Sequence, residues 1–77
     1  MHILDAIREI MNNAGIGTRE LGRALHKSDR YMSGILSRGS IPKVDTMVSI
    51  ASTCGYDVVL VPKNGGDSIT LEIDESA

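Results

Sequence analysis

Ile3, Leu4, Ile7, Ile10 and Met11 recur at intervals of three and four residues, with Asp5, Arg8 and Glu9 between them. That spacing predicts an amphipathic helix with one apolar stripe, closed near Ala14 by Gly15. Thr18 is a natural N-cap, because its hydroxyl accepts from free backbone N–H groups in the turn that follows. A short helix is expected from Arg19 to about Leu25, burying Leu21, Ala24 and Leu25. His26-Lys27 breaks the pattern. Ser28 then caps a helix expected from Asp29 to about Ser37, with Met32, Ile35 and Leu36 facing inward. Asp29 in that first turn suits the positive end of the helix dipole. Residues 38–42 read as a loop, and Pro42 favours a helix that begins at or just after it. Val44, Met47, Val48, Ile50 and Ala51 mark a fourth helix, ended by Gly55.

Beyond Gly55 the period changes. Tyr56 to Val61 is a largely β-branched apolar run, and Asn64-Gly65-Gly66-Asp67 has turn chemistry. From Ser68 to Ile73 apolar residues alternate, with Ile69, Leu71 and Ile73 on one side. Together these predict a β-hairpin. The fold class expected is mainly α, with a four-helix unit over residues 1–55 and a hairpin and tail over 56–77.

With 77 residues there is room for one domain whose core is only marginally sufficient. Trp and Phe are absent and Tyr occurs twice, so the core must be aliphatic. A partner subunit would add apolar burial that a chain this short lacks. No apolar run approaches the roughly 20 residues of a bilayer span. Cys54 is the single cysteine, which leaves no internal disulfide and no metal-binding spacing. It reads as a small core residue near the end of the fourth helix. A cytoplasmic protein without metal or cofactor is expected. The net charge of −2 argues against nucleic acid until its distribution is considered. Residues 18–43 hold six bases (Arg19, Arg23, Lys27, Arg30, Arg38, Lys43) against Glu20 and Asp29, whereas residues 64–77 hold Asp67, Glu72, Asp74 and Glu75 with no base. Binding to DNA responds to the local field of the contacting face.

Two short helices joined by a break of three or four residues need a small residue where their axes cross, and Gly22 supplies it. Leu21 and Leu25 flank it, and Met32 and Ile35 face back from the second helix. Over Thr18 to Ile35 (TRELGRALHKSDRYMSGI) the chain resembles the helix-turn-helix of phage repressors of the Cro and CI kind and of XRE-type regulators. Ile41-Pro42-Lys43-Val44-Asp45-Thr46-Met47 extends the resemblance into helix four, so that it covers about residues 3 to 55. His26 stands where the family carries a glycine with left-handed backbone, which costs a side chain of order 1 kcal/mol. Gly39 lies one position later than the pattern suggests.

The resemblance implies double-stranded DNA as partner, with the second helix in the major groove and its N-terminal residues on base edges. Those positions are Ser28, Asp29, Arg30, Ser33, Gly34 and Ser37. Arg30 offers a fork to guanine O6 and N7, and Asp29 either accepts from cytosine N4 or orients Arg30. Gly34 has no reading group and permits close approach. Tyr31 belongs to the backbone or solvent side, and Arg23 to solvent. Thr18, Arg19, Arg38, Ser40 and Lys43 are the phosphate candidates.

The hairpin is apolar on both faces of its first strand, more than a half-exposed strand requires. A two-stranded hairpin is marginal alone and has open edges. Val58, Val59, Leu60, Val61, Ile69 and Leu71 are therefore expected to form a homodimer interface. A two-fold dimer places two recognition helices about one DNA turn apart, matching a palindromic operator. The function expected is sequence-specific DNA binding by a transcriptional regulator, most naturally a repressor. The alternative is a DNA-binding antitoxin whose remaining surface neutralises a toxin protein; the acidic tail from Glu72 to Ala77 reads as a solvated end rather than a partner-binding strand. An enzyme is disfavoured: His26 and Ser28 share one turn, and no chain length remains to build a substrate pocket.

Overall fold

The computed structural model describes residues 1–73. Four helices, α1 (Ile3–Ala14), α2 (Thr18–Ala24), α3 (Tyr31–Arg38) and α4 (Val44–Thr53), precede an antiparallel hairpin of β1 (Val58–Leu60) and β2 (Ile69–Leu71). The mainly α class with a C-terminal hairpin is thus the one the periodicity implies. The apolar stripe of α1 delivers Leu4, Ile7 and Met11 to the core, where they meet Leu21, Met32, Ile35, Ile50 and Cys54 from the other helices. Ile7, Leu21, Met32 and Ile50 are the largest fully buried side chains. Burial of each such group stabilises by about 1.5–3 kcal/mol. Among the described residues no polar or charged residue is buried, so this core carries no desolvation cost of that kind. Burial pushes the Cys54 thiol pKa up, which agrees with an inert core residue.

All four helices end on the same device. Ile16 N–H donates to Met11 O (3.0 Å), Ser40 to Ile35 O (3.1 Å) and Tyr56 to Ala51 O (2.8 Å), each across a left-handed glycine. These are Schellman closures, which satisfy carbonyls that the helix end leaves free. Lys27 N–H donates to Gly22 O (2.9 Å) in the same pattern, and there the left-handed residue is His26, at φ 60°. His26 therefore adopts the conformation of the glycine it replaces. At the other end of α1, His2 Nδ1 accepts from Leu4 N–H (3.1 Å), a cap that the apolar pattern does not reveal.

Several expected boundaries move. Thr18 is the first residue of α2, Gly17 occupies the cap, and neither α2 nor α3 has a side-chain cap bond. Helix α3 begins at Tyr31, two residues later than expected, and runs through Arg38. Ser28 does not cap it: its carbonyl accepts from Tyr31 N–H (3.1 Å), so residues 28–31 form a turn before the helix. Ala24, expected in the core, is exposed, and so are Ile3 and Val44 at the starts of their helices.

The strands are three residues each, paired Val58–Leu71, Val59–Thr70 and Leu60–Ile69. The turn begins earlier than Asn64: Gly65 N–H donates to Pro62 O (3.2 Å), and Asn64 Oδ1 accepts from Gly66 N–H (3.1 Å). Pro62 ends the first strand, because it has no N–H to give the ladder, and Asn64 adds its own Asx bond, so the turn tightens around this pair. At the α4 end of the hairpin, Val58 and Leu71 are half-buried beside Val48.

Candidate nucleic-acid interface

Helix α3 is seated against α2 by a close backbone approach. A Cβ on Gly22 would stand 2.7 Å from the carbonyl oxygen of Ser28 and 3.9 Å from Tyr31 Cβ. Only glycine lets the chain fold back this tightly, and the turn that follows sets the direction of α3. Met32 and Ile35 then point into the core. Arg30, Ser33, Gly34, Ser37 and Arg38 follow at helical spacing on the opposite side, where all but the half-buried Gly34 are exposed. The Ser33 and Ser37 hydroxyls donate to Arg30 O (3.2 Å) and Gly34 O (3.3 Å). These bonds hold both side chains against the helix and leave oxygen lone pairs outward. The C-terminal end of α3 is tied to α1, where Arg8 Nη2 donates to Leu36 O (3.2 Å).

Two clefts flank this row. On one side Thr18 and Arg19 of α2 meet Asp29, Arg30 and Ser33. On the other, Lys27, Arg38, Ser40 and Lys43 surround Tyr31, Ile41 and Pro42. The five phosphate candidates thus divide between the two flanks, and Gly34 and Ser37 lie between them. Ser40 is half-buried and its backbone N–H is used in the α3 closure. Tyr31 is half-buried against the core, with Lys27 Nζ 5.5 Å from the ring centroid, instead of standing on the solvent side.

Asp29 does not orient Arg30. Its carboxylate takes Arg23 Nε at 2.8 Å and Nη2 at 2.9 Å, and Arg19 Nη2 at 3.4 Å. The hydrogen bonds from Arg23 hold its pKa down at about 2, and the Arg23 guanidinium is raised in return. Asp29 thus lies in the turn before α3, with its carboxylate drawn sideways to α2. Arg23 is exposed as expected, yet held. The sequence carried one sign of this: Arg19 and Arg23 are four apart on α2, hence on one face, with a single acid at the start of the neighbouring helix.

In the hairpin, Val59 (41% exposed), Leu60 (54%), Val61 (71%) and Ile69 (61%) face solvent. Val58 and Leu71 are partly covered by the rest of the chain. Asp74 and Glu75 of the acidic tail lie outside the described residues. Among the described residues no helix is long and apolar enough to cross a membrane, and no three His, Cys, Asp or Glu side chains gather as a metal site. Comparison with known protein families, with curated proteins and with solved structures gives no match.

Proposed function

We propose that this chain binds duplex DNA in a sequence-dependent way, as a homodimer, and acts as a transcriptional repressor. The observation that carries the reading is the outward row of Arg30, at the N-cap of α3, with Ser33, Gly34 and Ser37 on the helix, running between two cation-bearing clefts. A helix with its side chains is about 10–12 Å across, which fits the roughly 12 Å width of the major groove. Arg30 at its leading end reaches a guanine edge, and the two serine hydroxyls exchange their internal partners for base or phosphate groups. Arg19 on one flank and Arg38 and Lys43 on the other meet the two phosphate walls of that groove. Such contacts position the helix, and the base contacts specify the site.

The dimer rests on the hairpin. A two-fold interface places a patch against its own copy, so a charged patch repels itself whereas an uncharged apolar one does not. Neither strand carries a charged residue, and Leu60 and Ile69, paired across the hairpin, are both exposed. Joining two subunits there buries the outer half of the hairpin and presents two copies of α3 about 34 Å apart.

Selection of bound duplexes from a random pool tests the reading. Enrichment of inverted repeats with half-sites about 10 base pairs apart is expected; a pool that stays random at low salt refutes it. Leu60→Glu with Ile69→Glu should convert the dimer to a folded monomer in sedimentation. A dimer that survives both charges places the interface elsewhere.

A further inference from the structure

Of the residues lining the cleft between α2 and α3, Asp29 alone is acidic. Its carboxylate accepts two parallel bonds from Arg23 and one from Arg19, the forked geometry that a guanidinium also makes with a phosphate. The side chains are open to water, at 64% (Arg23), 74% (Arg19) and 42% (Asp29) exposure, so the pairing exchanges freely. Exposed pairs add little to folding. Helix α3 is held instead by Met32, Ile35 and the close approach at Gly22.

Resting on the DNA-binding reading above, we propose that Asp29 sets specificity by occupying Arg23 and Arg19 as an internal stand-in for a DNA phosphate. On a duplex of arbitrary sequence, phosphates compete with Asp29 for these arginines, and success leaves its carboxylate unpaired in the negative field of the DNA. Non-specific binding is therefore held down. Where the major groove offers an amino donor at that place, as cytosine N4 does, Asp29 changes partner and both arginines pass to the backbone. The acid penalises every sequence except those that give it a donor, and Arg23 becomes a phosphate contact only on those.

The test compares the unsubstituted protein with Asp29→Asn on a random-sequence duplex and on a duplex selected by the protein, across a salt series. Asp29→Asn should bind the random duplex about fivefold more tightly per subunit, with a salt slope steeper by about 0.9 for each further phosphate neutralised. Its preference for the selected duplex should shrink. Arg23→Ala should cost little random-duplex affinity in the parent and several-fold in the Asp29→Asn background, which a purely structural pair would not show. Asp29→Ser, which likewise removes the charge, serves if the asparagine variant does not fold. Random-duplex affinity that is unchanged or weaker overturns the proposal, and so does loss of folding in both variants. Failure of the unsubstituted protein to bind any duplex refutes the DNA-binding reading itself, and the proposal with it.

Discussion

Gly22 and Gly34 each lie inside a short helix, and the same change to alanine should move stability in opposite directions at the two. Glycine to alanine in a helix interior gains about 1 kcal/mol of intrinsic preference. At Gly34 the added methyl meets Arg38 Nη1 at 2.7 Å, the far end of an exposed, flexible side chain that can swing into water. Most of the gain survives there. At Gly22 the methyl meets the Ser28 carbonyl oxygen at 2.7 Å. Ordinary C···O contacts are about 3.3 Å or longer, so backbone must yield by roughly 0.6 Å. That carbonyl accepts from Tyr31 N–H (3.1 Å), and Gly22 O accepts from Lys27 N–H (2.9 Å), so opening the contact strains both bonds that steer the chain into α3. Overpacking costs about 1–3 kcal/mol and a weakened hydrogen bond about 0.5–1.5 kcal/mol. The net loss, after the helix preference is subtracted, is about 1–3 kcal/mol. For a domain of this size Gly22→Ala should lower Tm by about 5–20 °C, and Gly34→Ala should raise it by about 2–8 °C. Thermal and urea unfolding followed by far-UV circular dichroism measures both. If Gly22→Ala melts at or above the parent, α2 does not pack on the turn before α3 as tightly as this contact requires.

His26→Gly should stabilise the fold by about 0.5–1 kcal/mol, because it removes the side-chain cost of a left-handed φ of 60°; urea unfolding that shows a loss would mean that the imidazole makes a compensating contact. Asp29 should titrate near 2 in carboxyl-detected NMR, below its ordinary 3.8. Its pKa is lowered by folding, so the pair favours the folded state above about pH 4 and gives that contribution up as pH falls toward 2. A titration near 4 would show that Arg23 does not hold it. Arg30→Ala should cost about 1–3 kcal/mol on the selected site and relax one base position, whereas Lys43→Ala should weaken all sequences alike and reduce the salt slope by about 1. If Arg30→Ala leaves the preferred site unchanged in a repeat selection, that residue does not read a base.

The order of the elements was legible because its signals are local. Helical spacing in α1 named Leu4, Ile7 and Met11 as core, and Gly15 and Gly55 marked helix ends that the structure closes with left-handed turns. His26 was marked by the resemblance of its segment to a family that carries a left-handed glycine there, and its φ is 60°. The row Arg30, Ser33, Gly34 and Ser37 likewise follows from period alone once Met32 and Ile35 point inward. Local rules failed where a distant group competes for the same atoms. Asp29 reads as a first-turn acid of α3, but it lies in the turn before the helix, where Arg23 and Arg19 take its carboxylate. Those partners lie six and ten residues away in sequence and meet only because Gly22 lets α2 lie against the turn. Ala24 and the hairpin ends were misplaced for a related reason: period assigns a face to a residue, while only the packed neighbours decide how far cover extends. The chain's apolar spacing and turn residues determined which elements form and in what order. The crossing of α2 over the start of α3 decided which charges face one another, because electrostatic pairing depends on distance in space, which the spacing of residues along a chain does not contain.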